Sequence, residues 1–378
     1  MKSHSKGKIF AGSMAIVAPS VVRLSLVGLW LLGAIACAWI PGAQQSVTIG
    51  QIEWIDTHSH LFGGRGSRQD FAGAAQAALS AMDEAGIRKM VLIPPPQVYG
   101  MPANYDHEIL SEVVKRYPTR FAFVGGGGSL NAMLQAAGQS RDVDEKLRRE
   151  FEDKANEILQ QGGAGFGEMT AHHLSHLSGH PYESVAADHA LLLLLADIAA
   201  RADVPIDLHF DVVAEEMKAP EWLVSPPNPQ ILQANLDGFE RLLMHNRNAR
   251  IVWLHAGSDM LGHWTVDLSR KLLEKHPNLY MSIRMAPGRA PQNHPVSEAG
   301  EIKSEWMRLL QDFSDRFVIG ADQFFASPSL RGDAPALTFA QRAPMIRDRT
   351  RMFLGLLPGG LYRKVALENP ARVYRLED

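Results

Sequence analysis

The sequence predicts an α/β fold, a parallel (β/α)8 barrel of the TIM type. Two observations carry that prediction. Short apolar runs alternate with longer stretches of helical periodicity about eight times, the number a closed parallel barrel needs. Several of the apolar runs also end on a histidine or a carboxylate, where barrel strands open onto their C-terminal mouth. An open doubly wound sheet is the rival arrangement for the same alternation.

The first 45 residues stand apart from this rhythm. Lys2, Lys6, Lys8 and Arg23 precede an apolar run over 24–40, which Pro41-Gly42-Ala43 closes. A positive start, an apolar stretch and small residues make 1–45 an export signal, or a membrane or lipid anchor. The run is shorter than the roughly 20 residues of a membrane-spanning helix. Gly33-Ala34-Ile35-Ala36-Cys37 reads as a lipobox with Cys37 lipidated, and Ala36-Cys37-Ala38 equally as a cleavage site. The expected location is therefore periplasmic or envelope-attached, with the catalytic barrel over 46–378. Cys37 is the one cysteine, so no disulfide and no thiolate metal site is expected in the barrel. A net charge of −3 with no long basic run excludes an electrostatic footprint for nucleic acid.

The barrel elements follow in order. Residues 52–56 form the first strand and 71–85 its helix, which Gly86 ends. The second strand, 89–93, stops at Pro94, Pro95 and Pro96, and a helix covers 107–116. The third strand, 121–124, runs into four glycines and is followed by a helix over 145–159. Strands at 163–168, 205–209, 250–255, 278–284 and 316–320 come next, with helices at 187–201, 231–245, 265–275 and 303–313 between them. Helices at 344–356 and 361–367 close the chain. The run 191–195 is no membrane span, since Asp188, His189 and Asp197 flank it. No internal repeat and no linker divides 46–378, and no helix face assigns an oligomeric state.

The chemistry sits at the strand ends. In Asp56-Thr57-His58-Ser59-His60, residues two apart on a strand point the same way, so His58 and His60 face one side together. Glu168 ends the fourth strand, His209 nearly ends the fifth, His255 ends the sixth and Asp322 follows the eighth. Burying each of these without a partner is costly, and a shared divalent metal at the C-terminal mouth accounts for all of them. A zinc-class ion suits histidine and carboxylate donors, with one or two ions open.

These residues resemble the amidohydrolase superfamily, in particular the amidohydrolase-related (amidohydrolase 2) branch of metal-dependent hydrolases. The likeness lies in Ile55-Asp56-Thr57-His58-Ser59-His60, Gly165-Phe166-Gly167-Glu168, Val204-Pro205-Ile206-Asp207-Leu208-His209, Leu254-His255-Ala256-Gly257 and Ile319-Gly320-Ala321-Asp322. Glu368-Asn369-Pro370-Ala371-Arg372 looks like the segment that often ends such chains. The resemblance implies that His58, His60, His209 and Asp322 bind metal. Glu168 would bridge two ions or orient a ligand, and His255 would bind a second ion or polarise the substrate. Asp322 would take a proton from metal-activated water. The implied activity is hydrolysis of an amide, lactone or other ester bond in a small molecule. Non-oxidative decarboxylation of a small aromatic acid is the alternative within the branch, and a non-catalytic metal-binding envelope protein is a second.

Other residues have plainer readings. His172, His173, His176 and His180 crowd what reads as a solvated loop. Arg65 and Arg284 would stand near the mouth, to clamp a substrate carboxylate or to pair with an acid. Residues 125–128 are a tight turn or an anion-binding nest. Asp56 would support the metal site through hydrogen bonds. Loops at 211–230, 285–297 and 323–341 would shape the pocket, where Trp222, Phe324 and Phe325 hint at an apolar substrate.

Overall fold

In the computed structural model, residues 52–64, 69–97, 105–138, 142–176, 181–223, 227–285, 293–330 and 334–377 are described, and all fall within one compact unit, Gln44–Asp378. The expected export segment, Arg65 and His180 lie outside the described residues. No helix among those described is long and apolar enough to cross a membrane.

Eight parallel strand positions form the sheet. They are β1 (Trp54–Phe62), β2 (Ile87–Leu92), β3 in two pieces (Phe121–Phe123 and Gly125–Gly126) and β4 (Phe166–His173). Next come β5 (Pro205–Phe210), β6 (Arg250–Ala256), β7 (Leu279–Ile283) and β8, again in two pieces (Phe317–Ile319 and Gln323–Ala326). Each position pairs in parallel with its neighbours in sequence, and the second piece of β8 pairs with β1. The strand positions thus follow the order of a (β/α)8 barrel, in two parallel sheets that meet at the two split positions. The two split positions hand the pairing over. At β3, Val124 N bonds Leu92 O while Gly125 N bonds Gly165 O. At β8, Gly320 N bonds Ile283 O while Asp322 N bonds His58 O. Gly320 is required there, because a Cβ would lie 2.2 Å from Ser282 Oγ and 2.8 Å from His58 Cβ.

Helices wrap the ring. These are α1 (Phe71–Ala85), α2 (His107–Arg116), α3 (Leu130–Ala137), α4 (Glu145–Gln160), α5 (Ala190–Ala202), α6 (Leu236–His245), α7 (Val266–Lys275), α8 (Ser304–Asp312) and α9 (Ala334–Gly355). Side-chain caps start several of them: Asp70, Asp144 and Thr265 each accept from the backbone N–H three residues on. Alternation sorts each strand between two cores. On β5, Ile206, Leu208 and Phe210 pack against the helices, while Pro205, Asp207 and His209 take the alternate, interior positions. The interior core holds Val91, Ile93, Val124, Val252, Leu254 and Val318, together with Val373 and Tyr374 from the C-terminal tail.

Several expected elements change. The helix expected over 231–245 begins only at Leu236, because Ile231–Leu232 pairs with Met217–Lys218 as a small hairpin. Helix α3 was not expected, and the two closing helices are instead α9, which contains Pro344, followed by three short turns ending in Asn369–Val373. The four glycines form no anion nest. Gly125 and Gly127 donate to the Gly165 and Gly167 carbonyls and Gly126 to Asp106 Oδ1, while a Cβ on Gly127 would strike Pro94 O at 2.2 Å.

The tail closes the barrel interior. Asn369 Nδ2 donates to the carbonyls of Ser314 and Phe317, at the start of β8. Tyr374 Oη then donates to Asp207 Oδ1 at 2.6 Å, deep in the interior, and Asp207 Oδ2 has no hydrogen-bond partner among the described residues. Burial pushes the Asp207 carboxyl well above its ordinary range. Tyr374→Phe should therefore cost about 1–3 kcal/mol in urea unfolding, since it strips a buried acceptor of its donor; an unchanged midpoint would show that the contact contributes nothing.

Candidate metal centre

The strands end further out than the sequence suggests, and this brings the polar residues inward. Strand β1 runs through both histidines to Phe62, so His58 and His60 lie on a strand rather than beyond one. Their buried rings meet edge to face with centroids 4.9 Å apart. On β6, Val252 and Leu254 already face the interior, so simple alternation would turn His255 away. A register shift between Trp253 and Ala256 and a φ of +70° at His255 turn it back. Asp322 also has positive φ, +53°. Among the described residues, two of the four non-glycine residues with positive φ are thus at the proposed site.

Two donor sets share Glu168. His58 Nε2 and His60 Nε2 are 3.1 Å apart, and Glu168 Oε2 lies 3.5 and 3.9 Å from them. Asp322 Oδ1 completes this set at 3.8 Å from His58 Nε2 and 3.1 Å from His60 Nε2. In the other set, Glu168 Oε1 lies 2.8 Å from His209 Nδ1 and 3.3 Å from His255 Nε2, which are 3.1 Å apart. An ion with donors at 2.0–2.2 Å in a tetrahedron spaces them about 3.3–3.6 Å apart, so both sets fit a divalent ion with small adjustments. The protonation pattern agrees. His60 Nδ1 donates to Ile93 O at 2.8 Å, which leaves Nε2 bare in the neutral ring. A bare nitrogen among carboxylate oxygens calls for a cation between them, either a proton or a metal.

The charges at the centre differ from one residue to the next. Burial opposes a proton on His209, but Asp211 and Glu168 at its two nitrogens push the imidazolium up to about 10. Burial pulls His255 down to about 4, so it is neutral at pH 7. Burial raises the Asp322 carboxyl, but Arg284 and His60 outweigh that and hold it well below the carboxylate range.

The outer contacts include residues the sequence reading missed. Asp211 Oδ1 lies 3.6 Å from His209 Nε2, and its Oδ2 accepts from Leu174 N. It stands two residues after His209, the spacing that flagged His58 and His60. Asp56 accepts from the backbone of His58 and Ala321 and from Ser59 and Gln323, tying β1 to β8. His172 and His173 belong to β4 and are buried, not solvated as expected, because Glu183–Ser184 extends the sheet beside them. His173 meets His209 edge to face, centroids 4.2 Å apart, and Glu183 Oε2 is 3.7 Å from His173 Nδ1. Asn131 on α3 donates to Glu183 Oε1 and accepts from Thr170 N. Arg284 pairs with Asp322 Oδ2 at 2.9 Å. Phe324 lies 4.5 Å from the His60 ring, Phe325 is buried, and Trp222 is 63% exposed.

No family model and no curated protein matches the sequence. Among solved structures, the chain is similar to an amidohydrolase 2 from Bifidobacterium longum subsp. infantis, at 12% identity over 86% of this chain and 99% of that one, with a TM-score of 0.41. It is also similar to an organophosphorus hydrolase from Deinococcus radiodurans, at 15% identity over 87% and 94% of the chains, with a TM-score of 0.47. A dihydroxybenzoic acid decarboxylase from Polaromonas sp. JS666, solved with manganese and 2-nitroresorcinol, shares 14% identity over 86% and 97%, with a TM-score of 0.39.

Glu183 offers a test of this outer network. Burial pushes its carboxyl up to about 7, from an ordinary value of 4.5. Between those values the unfolded chain ionises while the folded chain stays neutral, so stability falls as pH rises through that window. Glu183→Gln cannot ionise and keeps an acceptor for Asn131. Its stability relative to the parent, measured on metal-free protein, should improve by about 3 kcal/mol from pH 4.5 to 7. A pH-independent difference would mean the carboxyl is ionised in place.

Proposed function

We propose that this protein is a metal-dependent hydrolase that cleaves an ester, lactone or amide bond of a small molecule, with two zinc-class ions in one centre. The observation that carries this reading is the division of Glu168, whose Oε2 faces His58 and His60 while its Oε1 faces His209 and His255. A carboxylate so placed would be shared by two ions, one held with His58 and His60 and the other with His209 and His255. Ions bound there would supply Lewis acidity and water whose pKa is lowered to about 7.

The chain's own groups do the rest. Neutral His255 can offer a lone pair at pH 7 without first losing a proton. His60 is held in one tautomer by the Ile93 carbonyl, with Nε2 inward. Asp322 is the acid placed at the more open side of the centre, its side chain 15% exposed, to take a proton from the attacking water and return it to the leaving group. Asp211 and Glu168 hold the two nitrogens of His209 in line.

The first measurement is metal content after dialysis against metal-free buffer. About two equivalents are expected in the parent protein and one or fewer in Glu168→Gln, with ester or lactone hydrolysis lost in the variant. A metal-free parent that also takes up no added zinc would overturn the reading. Asp322→Asn should lower turnover about 10²–10⁴-fold; full activity with metal still bound would remove Asp322 from proton transfer. Release of carbon dioxide from an aromatic acid, with no hydrolysis, would favour the decarboxylase.

A further inference from the structure

Arg284 follows directly on β7, at the mouth of the barrel, and its place there is built. Its backbone N–H donates to Ala256 O at 2.9 Å, and its carbonyl accepts from Ser258 Oγ at 3.4 Å. The side chain is mostly buried, 24% exposed, and its Nη2 reaches Asp322 Oδ2 at 2.9 Å. Asp322 is fixed from the other direction, since its N–H donates to His58 O at 2.8 Å. Its two oxygens therefore have different neighbours. Oδ1 faces His58 Nε2 and His60 Nε2, while Oδ2 faces the guanidinium and, at 4.0 Å, His255 Nδ1.

A carboxylate near a divalent cation is free to offer one oxygen or both. A guanidinium is a planar, permanently charged fork that fixes the carboxylate it binds. We infer that Arg284 is a positioning residue: it keeps Oδ2 engaged, so that Asp322 turns Oδ1 alone toward the His58 and His60 nitrogens. This differs from a substrate clamp, for which the guanidinium would have to leave Asp322. It also sets a sign that a structural role would not. Removing Arg284 frees the second oxygen for an ion and removes a positive charge that repels it. Ion binding should then tighten while turnover falls. The effect on turnover rests on the hydrolase reading, but the effect on ion affinity does not.

The test uses Arg284→Gln and Arg284→Lys in the full chain, with Co(II) as the probe ion titrated against a chelating indicator. Arg284→Gln, having lost a charge that repels the ion, should bind Co(II) about tenfold more tightly than the parent. Its kcat on a chromogenic aryl ester should drop about a hundredfold with KM within about threefold. Arg284→Lys, which retains the charge, should keep Co(II) affinity within about threefold of the parent. Arg284→Met carries the same expectation as the glutamine variant if that one does not fold. Unchanged Co(II) affinity with a raised KM would overturn the inference in favour of a substrate clamp. Weaker Co(II) binding with a lower melting temperature would overturn it in favour of a structural role. Tighter Co(II) binding by Arg284→Gln, with no ester or lactone hydrolysis by the parent, would leave Arg284 as assigned and sink the hydrolase reading instead.

Discussion

A carboxylate as deeply buried as Glu168, 4% exposed, must find compensation at both oxygens. It finds it in four imidazoles drawn from three strands, two on each side. Each imidazole in turn has to be aimed, which explains features that look unrelated when taken singly. The Ile93 carbonyl fixes His60, the shift in β6 turns His255 inward, and Asp211 stands behind His209. Buried polar networks of this kind are stable only when nearly every member is satisfied, so the mouth of the barrel is organised outward from one side chain.

The ring geometry serves the same constraint. Position β8 is split at Gly320, Ala321 and Asp322, and the split lets one chain segment pair with β7, turn, and pair with β1. The turn is where Asp322 projects. Because Gly320 admits His58 and Ser282 so closely, Asp322 is delivered to the same spot as the first histidine pair. Fold closure and assembly of the centre are therefore one event at this junction.

Much of this was legible in the sequence, for a physical reason. On β5, apolar 206, 208 and 210 alternate with 205, 207 and 209, so the strand declares both its faces. His58, His60, Glu168, His209, His255 and Asp322 stood out because polar groups ended apolar runs, and the fold brings their side chains near one another. What stayed hidden depends on pairing between distant segments. Residues 231–232 look helical until Met217–Lys218 claims them, and His172 and His173 look solvated until Glu183–Ser184 lies alongside. Glu183 itself sits on a two-residue strand that is too short to show any period. The inward turn of His255 comes from a register shift, which leaves no mark in hydrophobic alternation.

The pairing of β1 with β8 has a consequence for how the chain comes into being. His60 and Asp322 are 262 residues apart in sequence, yet their side chains are 3.1 Å apart in the centre. Loops that long are closed at an entropic cost met before any contact rewards it, and folds dominated by such contacts form slowly. A nascent or half-folded chain lacking the last strand cannot present the complete donor set, however many of its histidines are already in place. The donor cluster is thus complete only once the last strand has paired, and a growing polypeptide carries an incomplete version of it until then.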